Sequence, residues 1–413
     1  MNTSALKMNV RRFYLSSFLG GWSFATGFLI FYYREVGFSY FQILLVGVVY
    51  ETLNFLLEIP TGALADLWSR KWTVTLGHAI SGASFLVVIL RPEAYWMFLL
   101  WAVLSAICTT LNSGSTTAIM YDTLLALGEE DRFARLQGRS LAIDLITQTV
   151  TLVVGGILAE RYGFQLVLLL SGIGGLLQAL VLAGLAEPPI LAQETPQPGG
   201  ERAGQSLGIV FLRHIVSSFR VLIGNVQVRW IVTYGFFAFA LFQFFPVVSQ
   251  PYLAGMGYNS RLAISVFSAG VALVTAVAAI AVGELKPHRR GRPLLVVVSI
   301  GVTVPFVMMG GVMGRSVIPP LALFSLAAGA AQVILPDLMN ALIPSDRRAT
   351  ILSAQNQLYS LGYAITAIAM GWTMDRLGLA AGSLTIGILS VAGLAVLVAR
   401  IPKTARPASL EQV

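Results

Sequence analysis

Residues 156–163 read Gly156-Ile157-Leu158-Ala159-Glu160-Arg161-Tyr162-Gly163, and residues 371–378 read Gly371-Trp372-Thr373-Met374-Asp375-Arg376-Leu377-Gly378. Both spell Gly-x-x-x-acid-Arg-x-Gly, and subtracting 156 from 371 gives an offset of 215. Working outward, the same offset lays Asp122 on Asp337, Ala126 on Ala341, and Asp131-Arg132 on Asp346-Arg347. One spacing that holds across two polar joints and two apolar stretches marks an internal repeat. The chain is read as two related halves.

What the halves are made of follows from composition. Of 413 residues, 56% are hydrophobic and only 11% are charged, with a mean hydropathy of +0.78; soluble domains carry roughly a quarter charged residues. Apolar runs long enough to cross a bilayer recur along the chain. Spans are predicted at about 13–34, 40–60, 72–90, 95–124, 138–159, 164–186, 228–252, 260–283, 293–313, 317–341, 349–372 and 379–400. Runs of this length exclude a β-barrel, whose strands would be short and alternating. The first run follows Lys7, Arg11 and Arg12 and lacks a small-residue cleavage site, so it is expected to remain as a span rather than be removed as a signal peptide. Cys108 is the single cysteine and the three histidines have no ligand spacing, so neither a disulfide framework nor a metal site is expected.

Charge placement gives the orientation. With the amino terminus in the cytoplasm, Arg34, Arg91, Arg161, Arg261, Arg315 and Arg376 lie outside, which leaves 21 of the 27 Lys and Arg inside. This bias predicts cytoplasmic termini. The formal net charge of +8 is therefore read as topology, not as a nucleic-acid surface. A Pro- and Gly-rich stretch from Glu187 to about Gln205 divides the spans six and six. The predicted organisation is a bundle over 1–186, a cytoplasmic linker over 187–227 and a second bundle with a short tail over 228–413. Within the linker, Leu207 to Ile223 carries Arg213 and Arg220 on one helical face, which suits either an interfacial helix or an extension of the seventh span. Parallel six-helix repeats predict an all-α membrane protein of two bundles related by a pseudo-twofold axis along the membrane normal, with a substrate site near the midplane.

After the second span comes Gly62-Ala-Leu-Ala-Asp66-Leu-Trp-Ser-Arg70-Lys71, preceded by Glu58-Ile-Pro-Thr. This resembles the G-x-L-a-D-r-x-G-r-[KR] signature of the major facilitator superfamily, and with the residues ahead of it looks like bacterial efflux members of that superfamily. Ser69 stands where the signature has glycine, and the second-half counterpart, Gly283 to Arg292, keeps basic charge but loses the spacing. The resemblance implies a loop that latches the cytoplasmic side, formed here by Gly62, Asp66, Arg70 and Lys71. Asp122 is the partner expected for Arg70 through a charge-assisted pair, with Asp337 as its second-half equivalent. Span five lacks the G-x-x-x-G-P mark of drug/proton antiporters, and span four lacks the intramembrane arginine of many proton-coupled members.

Acidic residues inside spans are the candidates for ion coupling. Glu51, Asn54 and Glu58 share one helical face, as do Asp144 and Gln148. Such faces should avoid lipid, and Glu51, Glu58 or Asp144 could exchange a proton during turnover or instead tie helices together. Tyr359 and Tyr363 occupy the places equivalent to Asp144 and Gln148, so this acid is not repeated. Tyr32, Asn54, Gln148, Gln243, Gln355, Asn356 and Tyr359 could line an otherwise apolar cavity. Because Lys and Arg sit at span ends or in loops, anionic substrates are disfavoured.

The expected function is alternating access with proton-coupled export of an amphiphilic neutral or cationic molecule, with proton-coupled uptake of a small metabolite as the alternative. A membrane-embedded enzyme or a receptor that does not transport is disfavoured, since no nucleophile–base arrangement and no long soluble loops are present. No cofactor is expected. The partners are a small-molecule substrate, protons and lipids, in a protein working as a monomer in the bacterial inner membrane.

Overall fold

A computed structural model describes residues 3–188, 226–283, 291–311, 318–342 and 348–401. These residues form helices and connecting turns, with no strand among them. Ten stretches are long and apolar enough to cross a membrane. The last of these holds two helices, because Arg348–Ala399 turns at Gly378, where φ is +88°. Gly163 takes the same φ between Phe133–Tyr162 and Phe164–Ala183. Only glycine enters this region without a Cβ clash, which explains why the repeat keeps glycine at both joints. Counting the last stretch as two and adding the broken first span gives twelve among the described residues.

That first span departs from the uninterrupted run expected. Thr3–Gly20 is helical, residues 21–25 are not, and the chain resumes as Thr26–Phe28 and Leu29–Glu35. Gly20 and Gly21 are weak helix formers, and Thr151 satisfies the freed backbone: its hydroxyl donates to the Gly21 carbonyl at 2.7 Å and accepts from the Ser23 amide at 3.4 Å. The expected span 95–124 is likewise two helices, Tyr95–Asn112 and Ser115–Leu127, separated at Gly114. A third departure is the signature segment. Tyr40–Leu67 stays helical through Pro60 and Gly62, because Ala and Leu continue the helix, and the next helix begins at Arg70. Ser69 is its N-cap, accepting from the Trp72 amide at 3.3 Å. This gives the substituted serine a structural purpose.

The chain divides into two compact units. One takes in Met1–Leu29, Val49–Ile209 and Arg261–Ala269; the other takes in Ile30–Val48, Val210–Ser260 and Gly270–Val413. In the first, Phe13, Val74, Ile119, Leu124, Leu136 and Leu182 form a buried cluster. Beside it Asn9, fully buried, donates to the Ala186 carbonyl at 2.8 Å and accepts from the Ala186 amide at 2.9 Å. In the second, the Tyr234 hydroxyl lies 2.9 Å from both the Leu295 carbonyl and the Ser299 hydroxyl. Ser383 donates to the Phe306 carbonyl at 2.7 Å. These buried polar groups are paired across helices, as a low-dielectric interior favours.

The repeated carboxylates cap helices from far along the chain. Asp375 accepts from the amides of Tyr40 and Phe41 at 2.7 and 3.0 Å, in the first turn of Tyr40–Leu67. Glu160 accepts from the Arg261 amide at 3.0 Å, at the start of Arg261–Gly283. The Arg261 guanidinium in turn donates to the Ala159 carbonyl at 3.0 Å. A carboxylate at a helix start satisfies orphan amides and opposes the positive end of the dipole.

Candidate functional site

The signature segment and the 115–127 helix meet through one ion pair. Arg70 Nη1 lies 2.8 Å from Asp122 Oδ2, with side-chain exposures of 28% and 13%. Lys71 places its ammonium 4.8 Å from the Trp72 ring centroid. Gly62 is exposed on the last turns of its helix. The side chain of Asp66 lies outside the described residues, as do the second-half counterpart at 284–290 and the 207–223 segment. Asp337 is half-buried directly after Pro336, near the end of Ile318–Leu342.

Within the first unit, the acids and amides expected to serve coupling divide between two places. Glu51 is buried on Tyr40–Leu67, one turn from Asn54 and two from Glu58. Asn54 Oδ1 is buried without a hydrogen-bond donor among the described residues. The second place is the break in the first span. There Asp144 Oδ1 lies 3.2 Å from where a Cβ on Gly20 would sit, and Gln148 brings its backbone amide against Gly21.

Within the second unit, Tyr359 stacks on Phe239 at 5.4 Å between centroids and 27° between planes, and Phe236 lies 6.5 Å away. Tyr363 closes the cluster against Phe244 at 5.5 Å. Gln355 Oε1 and Gln357 Nε2 are buried with no partner among the described residues, while Asn356 is exposed. Gln243 is half-buried on Val226–Gly255, and Tyr32 is buried at 6%. The site candidates thus fall into separate sets, with Asn54 and Gln148 in one unit and Tyr32, Gln243, Gln355, Asn356 and Tyr359 in the other.

Several residues with equal claim were not singled out from sequence. Gln250, 4% exposed, accepts from the Phe31 amide at 2.9 Å where that segment restarts as helix. Gln178 donates to the Ser16 carbonyl and hydroxyl at 3.0 and 3.1 Å. The Gly20-Gly21 pair was the available signal for the break, since paired glycines seldom continue a helix.

Residues 13–362 match the Major Facilitator Superfamily. The chain belongs to that superfamily. Two relatives match the chain at low identity. The uncharacterized MFS-type transporter MJ1560 of Methanocaldococcus jannaschii is 20% identical over 403 residues, covering 93% of this chain and 98% of that protein. The uncharacterized MFS-type transporter YxaM of Bacillus subtilis is 21% identical over 372 residues, covering 87% of each. Among solved structures, a mutant of the nucleoside transporter NupG superposes with a TM-score of 0.71 at 14% identity, over 96% of this chain and 98% of that one. A second NupG structure gives 0.67, also at 14% identity, over 97% and 98%. This facilitator is an all-helical membrane transporter with the superfamily's fold, not an enzyme.

Proposed function

We propose that this facilitator works by alternating access and exports a small amphiphilic molecule, neutral or cationic, in exchange for protons. The observation that carries the reading is the sorting of charge along the spans. Glu51 and Asp144 lie well inside membrane-crossing helices, whereas Lys and Arg of the described residues gather toward helix ends. An anion would find no buried cationic partner, whereas a cation or proton finds carboxylates. The ring cluster of Phe236, Phe239, Tyr359 and Tyr363 adds the flat apolar surface that an amphiphile fills.

In this reading, bundles over 1–186 and 228–413 move about the 187–227 connection, both termini face the cytoplasm of a bacterial inner membrane, and a monomer suffices. Gly62, Asp66, Arg70, Lys71, Asp122 and Asp337 form the cytoplasmic gate, whose ion pair forms in one state and parts in the other. Glu51, Glu58 and Asp144 carry the protons. A second reading, uptake of a polar metabolite by proton symport, draws support from the fold likeness to a nucleoside transporter and from the unsatisfied amides of Gln355 and Gln357.

The test uses inside-out vesicles, acidified within, carrying a pH-sensitive dye while lipophilic cations and neutral amphiphiles are added singly. Dissipation of the gradient by one compound, lost in Glu58→Gln or Asp144→Asn, is the result expected of export. No response across the panel, together with proton-linked accumulation of a nucleoside by right-side-out vesicles, overturns export in favour of uptake.

A further inference from the structure

The break in the first span gathers acceptors without donors. In an unbroken helix the Trp22 amide would bond the Phe18 carbonyl; here it bonds that of Leu19 at 3.1 Å, and the Gly21 amide bonds that of Ser17 at 3.2 Å. Carbonyls of Ser16 and Gly21 are taken by Gln178 and Thr151. Those of Phe18 and Gly20 accept no hydrogen bond from the described residues. The helix ends about 10 Å along a span that begins near Phe13, at 1.5 Å per residue, so its negative dipole end lies inside the membrane.

Asp144 stands at this helix end. Its Oδ1 is 3.2 Å from the Cβ position of Gly20, and its own carbonyl is 2.7 Å from that of Gly21. The carboxylate makes no hydrogen bond or ion pair with any described residue. The nearest cations along the two helices do not compensate it. Arg12, two turns before Gly20, packs its guanidinium beside Gly184, and Arg139, five residues before Asp144, projects from another face. Lys7, Arg11 and Arg135 lie further toward the helix ends. Aromatic rings flank the break along the chain: Trp22, packed against Gly174, meets Phe18 edge-on at 6.1 Å and Phe24 at 5.8 Å.

We infer that the break is a binding site for the ammonium group of an organic cation, an inference that rests on the transporter reading and names the substrate class for it. Two free carbonyls and a carboxylate match the three N–H donors of a primary ammonium. Broken helices are where transporters place cations, with unwound carbonyls and the C-terminal end of a half-helix facing the charge. The rings supply faces that attract an alkylammonium and a surface for its apolar body. These rings favour an organic ammonium over a bare metal ion, which gains little from an apolar wall.

The sole cysteine lets the charge preference be measured without knowing the substrate. In full-length protein carrying Cys108→Ser and Ser23→Cys, the rates of modification by a cationic and by an anionic methanethiosulfonate are compared with their rates on a free thiol. The expected result is a cationic preference about tenfold above the free-thiol ratio, lost in Asp144→Asn and kept in Asp144→Glu. The cationic reaction should also be slowed by 2-phenylethylammonium but not by equal concentrations of 2-phenylethanol or sodium. Equal preference with and without the Asp144 charge overturns the site, as does protection by sodium alone or by the neutral alcohol. Should labelling fail in this way while the vesicle assay still shows proton-linked export, the ammonium site falls and the transporter reading stands. A clear preference with no export leaves the site and removes the export reading.

Discussion

Asp375 holds the amides of Tyr40 and Phe41 at once, with one carboxylate oxygen on each, across a sequence separation of more than three hundred residues. Its repeat partner Glu160 holds a single amide, that of Arg261. Removing the first should therefore cost more than removing the second. Asp375→Ala is expected to lower stability by about 1–2 kcal/mol, the upper range for loss of an N-cap, and Glu160→Ala by about half as much. Thermal unfolding of the purified variants in one detergent checks the order. Asp375→Asn, which retains one acceptor oxygen, should fall between Asp375→Ala and the unaltered protein.

Beside each cap lies a glycine at the repeated offset. A Cβ on Gly371 would stand 2.7 Å from Phe41 Cα, and one on Gly156 would stand 2.7 Å from Ser265 Cβ. Neither neighbour can yield as a side-chain tip can, since a Cβ moves with its backbone and Leu262 Cα also stands 3.0 Å from the Gly156 position, so Gly371→Ala and Gly156→Ala should each destabilise by about 1–3 kcal/mol. An unchanged melting temperature in either variant would count against close packing at that position.

The Arg70–Asp122 pair is half-shielded from water and charge-assisted. Such a bond contributes on the order of 1.5–3 kcal/mol. A double-mutant cycle of Arg70→Ala and Asp122→Ala should show coupling of that size, with the double variant little worse than either single one. Arg70→Lys should restore part of the loss but not all, because an ammonium lacks the planar fork. Additive single losses would exclude a working pair.

Thr151→Val keeps the shape of the side chain while deleting the hydroxyl that donates to the Gly21 carbonyl and accepts from the Ser23 amide. The Ser23 amide still bonds the Gly21 carbonyl at 2.8 Å, so what is lost is the tie between the break and the 133–162 helix, at about 0.5–1.5 kcal/mol. Hydrogen exchange of the 17–28 segment should accelerate in this variant while the 164–183 helix stays protected. Uniform acceleration would mean that Thr151 supports the whole unit rather than the break.

Much of the architecture is legible in the sequence because a bilayer imposes long apolar runs, and hydropathy reads those directly. The 215-residue offset is equally plain at Glu160 and Asp375. What these carboxylates touch is not, since an amide 335 residues away becomes a neighbour only after the helices pack. The interruption at 21–25 escapes hydropathy for a different reason: Trp22, Phe24 and Ala25 are as apolar as the helical residues around them, and the change is in the backbone alone. Arg70 and Asp122 were readable as a pair because complementary charges near span ends have few places to go. Which oxygen or nitrogen of Asn54, Gln355 or Gln357 stays unsatisfied depends on side-chain packing, about which a residue's identity says nothing.

The membership of residues 30–48 in the second unit, and of 261–269 in the first, bears on how the protein is made. A ribosome delivers Tyr40 and Phe41 to the membrane long before it has synthesised Asp375, so the leading end of the 40–67 helix, held meanwhile by the local exchange between Ser39 and Gln42, must wait for its distant carboxylate through nearly the whole remainder of the chain. A fragment ending within 187–227 could form its own core around Phe13 and Leu182 yet never complete that helix start. Two fragments expressed separately would each lack a stretch that the other carries, and would regain function only by lending those stretches to one another.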